Sequence, residues 1–292
     1  MNIAKDAPAV RVNKSFEMPS VPVVLMKILQ LVDDDRTSAR RFEELILHDP
    51  SLSARILKLA NSAFYSFRSE VKTISHAVAL LGLNLVKSLA IGVSIFESFT
   101  KGFRGEIQQI TGLWMHSFGV GLIAQEIQTR RTNRTEAEFA FLCGLLHDIG
   151  AAVFFKQDPR RYSEVFSRNR SDSDADLCSH EIQEFGVDHA TMGSMLAKHW
   201  GLPADLATVA RYHHDPLNSR LPMVWAVALA DNLARQAGIG FDGDAGTHPL
   251  LGQIRELTQL DQPEWESLAA QAENQKRNAE EFFVAASWGV EK

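Results

Sequence analysis

The sequence predicts an all-α protein: an N-terminal helical bundle packed on a second helical core, followed by a C-terminal helical extension. Three observations predict it. Apolar residues recur at three- and four-residue spacing along nearly the whole chain, sustained two-residue alternation is scarce, and helix-starting and helix-stopping residues punctuate the runs. At 292 residues, with 45% hydrophobic and 23% charged content, the chain has an ordinary globular composition and room for one large domain or two smaller ones.

Each element has its own justification. Residues 1–14 read as a loose leader with no hydrophobic signal core. A first helix opens after "MPSVP", where Pro22 suits an opening turn, and runs through "VVLMKILQLV" to the acidic stop Asp33 to Asp35. "SARRFEELILH" forms the next and stops at Asp49 and Pro50. After it come "SLSARILKLANSAF" and "TISHAVALLGLNLVKSLAIGVSIF", the latter broken into two helices at Gly82. From near Gly105, helices are expected at about 107–131, 136–148, 160–168, 173–185, 189–200, 204–214 and 221–237, with Thr135 and Glu138 as a capping box. Gly238 to Pro249 reads as a glycine-rich connector and 262–284 as a last polar helix. Within the connector "GIGFDG" has dinucleotide-loop spacing, but no strand precedes it, so that function is excluded.

Charge and cysteine usage exclude further classes. A formal net charge of -6 argues against a chain that coats nucleic acid, and no DNA partner is expected. The basic runs "TRRTNR" and "PRRYSEVFSRNR" read as solvated faces and helix ends. Cys143 and Cys178 lie far apart with no CxxC pairing, which favours neither a disulfide framework nor a thiolate zinc site. The longest apolar stretch, Ala77 to Phe96, is interrupted by Asn84, Lys87 and Ser88, so no membrane span is expected and the chain reads as cytoplasmic.

The chemistry lies in polar residues on apolar helix faces. His116 falls on the stripe Leu113, Val120, Ile123 and Ile127; His189 shares a face with Met192, Leu196 and Trp200. His213 continues Leu206, Val209 and Ala210, with His214 beside it, and Asp231 interrupts Val224, Val227 and Ala228. His147 follows Cys143 by one turn, with Asp148 about 100° further round. Imidazoles and carboxylates gathered in a dry interior must hydrogen-bond one another or share a cation. Without thiolates, that cation would be a divalent transition metal (iron, manganese, nickel or zinc), as one or two ions; a closed polar network without metal is the alternative. His48, His76, His180, His199 and His248 read as solvent-facing or merely local.

A family resemblance joins these residues. "MPSVPVVLMKILQLVDDD", "LILHDPSLSARILKLANSAFY", "TISHAVALLGLNLVKSLA", "LWMHS", "AFLCGLLHDIGAAVF", "EFGVDHATMGSMLAKHWGLP" and "ARYHHDP", spanning about residues 18 to 216, resemble an HDOD-domain protein, the regulatory branch of the HD-domain metal-dependent phosphohydrolases. The resemblance implies an all-helical fold: an N-terminal half over 15–104, an HD-like helical half over 105–237, and an extension over 238–292. It implies a bacterial signal-transduction role through a protein partner. The superfamily's metal ligands fall on His116, His147, Asp148 and Asp231, and the extra histidines of the similar HD-GYP phosphodiesterases on His189, His213 and His214. Two positions depart from the hydrolases: Ala151 stands where they carry a lysine, and "DPLNSRLP" replaces their glycine, tyrosine, proline signature.

Two function classes follow from the resemblance. One is a regulatory interaction module. The other is a metal-dependent phosphodiesterase or phosphohydrolase acting on a cyclic dinucleotide or other nucleotide second messenger, with Asp148 steering the proton of the attacking water. A weaker third is a di-iron oxygen or redox sensor. Apolar residues of the first half are open to two readings, core or a homodimer surface.

Overall fold

The computed structural model describes residues 17–31, 38–61, 69–103, 107–171, 176–240 and 248–285, with the single positions 65 and 67. The leader, the acidic stop Asp33 to Asp35, the boundary near Gly105 and most of the glycine-rich connector lie outside them. Among the described residues every regular element is helical, as the periodicity predicts.

The first half consists of α1 (Val23–Gln30), α2 (Ser38–Leu47), α3 (Pro50–Ala60), α4 (Ile74–Leu81) and α5 (Leu83–Thr100). Short polar side chains set the starts. Asp49 caps α3 by accepting from the Leu52 amide at 3.0 Å, and Thr73 caps α4 through the His76 amide at 3.1 Å. Gly82 ends α4 at φ +91°, a conformation that favours glycine, and α5 leaves in a new direction. Phe42, Ile46, Ile56, Leu59 and Val86 are fully buried between these helices. Val23, Met26, Leu47 and Leu80 remain exposed, whereas Phe42, Phe96 and Phe99 are core.

The second half contains α6 (Ile107–Thr129), α7 (Arg134–Leu146), α8 (Ile149–Gln157), α9 (Pro159–Ser171), α10 (Leu177–Phe185), α11 (His189–His199), α12 (Ala204–Tyr212), a 3-10 turn at Pro216–Asn218 and α13 (Pro222–Gln236). α14 (Leu251–Leu257) and α15 (Gln262–Ala285) close the chain. α6 lies against α7, α13 and α15, while α11 packs on α8 and α12. α5 packs on α7, and Phe99 touches Trp114 and Trp200 at ring separations of 6.5 and 6.2 Å, so the halves share one core.

Several expected boundaries shift for local reasons. α7 starts at Arg134 because Asn133, not Thr135, is its cap, accepting from the Glu136 amide at 3.0 Å. Glu138, read as the other half of that capping box, is instead engaged by Arg134 at 2.6 Å. The helix expected over 136–148 breaks at His147 and Asp148, and the chain restarts as α8. α14 had no sequence-level expectation. Two stretches, Leu83–Thr100 and Arg134–Gln157, are long and apolar enough to cross a membrane by length and composition; 67% and 94% of them is buried inside the protein, as core helices are.

Candidate metal centre

The break between α7 and α8 positions the first two groups. Asp148 occupies the N-cap position of α8 but makes no capping hydrogen bond, which leaves its carboxylate to the interior. His147, at the end of α7, donates from Nδ1 to the carbonyl of Gly144 at 2.7 Å, so the lone pair of Nε2 faces inward.

The same device recurs. His213, at the end of α12, donates from Nδ1 to the Ala210 carbonyl at 2.9 Å. His189 is the first residue of α11, started by the Asp188 cap; its Nδ1 donates to Glu181 Oε2 at 2.7 Å. His116, midway along α6, places Nδ1 on the Ile239 carbonyl at 3.2 Å and Nε2 on Asp231 Oδ1 at 3.0 Å. A carbonyl or carboxylate behind each ring fixes its tautomer, and the Nε2 atoms converge.

Two donor groups result. Ligand atoms of Asp148, His189, His213 and His214 all lie within 4.8 Å of one another, as do those of His116, His147 and Asp231. Every sequence-predicted site residue is therefore in one place. The centre is dry: His116, His147, Asp148, His189, His213 and Asp231 are each 5% exposed or less, and His214 is half-buried.

Electrostatics follow from this burial. Desolvation opposes ionisation of Asp148, but the neighbouring imidazoles, His147 foremost and then His189 and His213, outweigh it and hold the carboxyl well below its usual range. Burial pushes His213 down to about 4. Burial, helped by the charges of His213, His189 and Arg235, lowers His214 well below the usual imidazole value. His189 moves the other way: burial would lower it, but Glu181 and Asp148 hold it well above. A proton on His189 Nε2 satisfies the 2.9 Å contact to His214 Nε2, and a metal cation would compete with that proton.

The proton network leaves two atoms unserved. His147 Nε2 and Asp148 Oδ1 are buried and have no hydrogen-bond partner, although they lie 3.3 Å from Asp148 Oδ2 and 3.2 Å from His213 Nε2 respectively. An orphaned imidazole lone pair and an orphaned carboxylate oxygen in one dry cluster fit a divalent cation.

Three participants escaped the sequence. Glu181 of α10, fully buried, accepts from the amide and ring of His189 and from the Tyr162 hydroxyl. Arg235 grips Asp231 from one turn along α13. His248, read as solvent-facing or local, is 8% exposed and donates from Nε2 to the His214 carbonyl at 3.2 Å. His180, read the same way, is also buried, at 7% exposed. Cys178 comes near Glu181 and His189, whose Nδ1 is already committed to Glu181. Gly240 supports the site: at φ +60° it lies so close to α6 that a Cβ there would overlap the Gly112 carbonyl and the His116 amide.

With this geometry in place, similarity to known proteins is informative. The HDOD domain profile matches residues 18–216. The chain belongs to the HDOD family. A crystal structure of an HDOD domain protein from Geobacter sulfurreducens superposes with a TM-score of 0.77 at 27% identity, covering 92% of this chain and 94% of that one. A candidate phosphohydrolase from Shewanella amazonensis SB2B gives a TM-score of 0.71 at 27% identity over the same shares. A candidate signal-transduction protein from Marinobacter aquaeolei VT8, 22% identical with a TM-score of 0.71, covers 95% of this chain and 61% of that one and shares the fold. A curated protein of Treponema pallidum (strain Nichols) is 24% identical over 229 residues, 75% of this chain; the HDOD chain spans 42% of that protein's length.

Proposed function

We propose that this HDOD protein is a metal-binding regulatory module of bacterial signal transduction that acts through a protein partner rather than by turnover. The observation that carries the metal is the convergence of Nε2 atoms whose Nδ1 partners are already fixed, around a carboxylate oxygen that accepts no hydrogen bond. When bound, a divalent cation supplies charge compensation and Lewis acidity. Asp148, His189, His213 and His214 would hold it, with His116, His147 and Asp231 beside them. Glu181, backed by Tyr162, keeps the His189 ring aimed; the Gly144 and Ala210 carbonyls do the same for His147 and His213.

Burial favours regulation over hydrolysis. A phosphodiester needs a mouth through which to reach the ion, whereas the core of this centre is 5% exposed or less. Ala151, standing where the hydrolases carry lysine, is itself 1% exposed and packed in the core, so it offers no cation to a phosphate. The hydrolase reading retains one support, the completeness of the His and Asp set, with Asp148 as the group that would take the water's proton. Localisation in the cytoplasm belongs to the same proposal.

The test is metal loading followed by a screen against cyclic dinucleotides and generic phosphodiesters. Metal retained without turnover supports the regulatory reading. Turnover that is abolished by His147→Ala would establish the hydrolase instead.

A further inference from the structure

The centre divides into two halves whose charges are compensated differently. Asp148 faces imidazoles: His147 Nε2 lies 3.3 Å from its Oδ2, and His189 and His213 Nε2 lie 3.4 and 3.2 Å from its Oδ1. Asp231 faces an imidazole and a guanidinium. Arg235 Nε donates to Asp231 Oδ1 at 2.9 Å, and the Arg235 NH2 group donates to Oδ2. The pair stands four residues apart on α13, where side chains of one helix face meet. The arginine side chain is 9% exposed and the aspartate 1%, so the fork is held in a dry setting and binds both oxygens at once.

A guanidinium cannot lose its proton under these conditions. It therefore gives Asp231 a permanent counter-charge. A divalent ion on the same carboxylate would sit close to that guanidinium, and two cations repel strongly at low dielectric. Of the other donors on this side, His116 holds Ile239 with one nitrogen and Asp231 with the other, and His147 Nε2 is turned towards Asp148 Oδ2 at 3.3 Å. Asp148 Oδ1, by contrast, accepts no hydrogen bond, and no lysine or arginine is paired with Asp148 among the described residues.

We propose that Arg235 is a built-in cation that takes the charge role of a second metal, so that the centre holds a single divalent ion on Asp148, His189, His213 and His214. The His116 and Asp231 side is then a metal-free brace. This inference rests on the metal reading above and fixes its stoichiometry.

Native mass spectrometry and elemental analysis of the full chain equilibrated with manganese(II) test it. The unaltered chain is expected to hold about one ion. Arg235→Gln raises this towards two, Asp231→Asn leaves it at one, and His189→Ala abolishes it. Arg235→Lys keeps the charge without the fork and is expected to stay at one, which preserves the test should Arg235→Gln not fold. Two ions on the unaltered chain, or an ion lost in Asp231→Asn but retained in His189→Ala, overturns the inference while leaving the metal reading standing. No bound ion overturns both.

Discussion

The two halves of the molecule bury different things. Up to Phe103, the buried polar residues among those described are two serines, Ser88 and Ser94. From His116 onward the interior also takes in five further imidazoles besides His116 and a set of carboxylates, including Asp148, Glu181 and Asp231. Apolar helices gain stability from area alone, and small changes in them are tolerated if volume is kept. A buried polar cluster is stable only when every member is served. The first half is thus a packing scaffold, and the second spends its core on a site.

Predictions can break that contrast. The largest effect is expected from Phe42→Ala, which empties a fully buried position between the first-half helices and should cost ~3–5 kcal/mol in denaturant unfolding. The folded fraction should retain its metal. Loss of metal from a folded Phe42→Ala protein would show that the halves are not separable in this way.

Glu181→Leu strikes the opposite half. It strips the acceptor from His189 Nδ1 and from the Tyr162 hydroxyl, each loss worth ~1–3 kcal/mol. Metal affinity, measured by competition with a chelator, should fall about 10–100-fold. Glu181→Gln keeps an acceptor and should recover part of it.

Gly150→Ala tests the frame that aligns α8 with α11. A Cβ there would overlap the His189 carbonyl and come within 2.6 Å of the Gly193 amide nitrogen, so α11 must move. The expected cost is ~1–3 kcal/mol, accompanied by weakened metal binding. An unchanged affinity would mean that His189 is not held by this crossing.

Alkaline pH should expose the buried phenol. Burial, followed by the Glu181 charge, holds Tyr162 well above its ordinary 10.0. The folded protein keeps a proton that the unfolded chain releases, so the contribution is complete below pH 10 and shrinks as pH climbs past it. Unfolding free energies measured on either side of pH 10 should show that slope, and Tyr162→Phe should flatten it. The smallest effect belongs to Glu184, whose carboxyl is lowered by hydrogen bonds from Arg161 and Arg168. Its surface position limits Glu184→Gln to about 1 kcal/mol or less, present above pH ~4 and lost below it.

Much of the site was legible because its residues are out of place. Asp231 among Val224, Val227 and Ala228, or His116 on a leucine and isoleucine stripe, is visible as soon as the helix is drawn. Glu181 is hidden by its polar neighbours in "EIQEF"; its signal is that Leu177, Glu181 and Phe185 recur at four-residue spacing, and all three are buried. Arg235 stands near a helix end, where basic residues are common, and its four-residue spacing from Asp231 is the signal that marks it. His248 belongs to a connector without periodicity, so nothing local announced its bond to the His214 carbonyl. The split of α7 from α8 was obscured because "CGLLHDIGAAVF" holds apolar residues on every side, and helical periodicity alone does not mark a two-residue turn.

Anomalous diffraction from a manganese-loaded crystal bears most directly on the central claim. A peak enclosed by Asp148 Oδ1 and the Nε2 atoms of His189, His213 and His214 is the predicted result. A map without density there, in which those side chains bond only to one another, would contradict it.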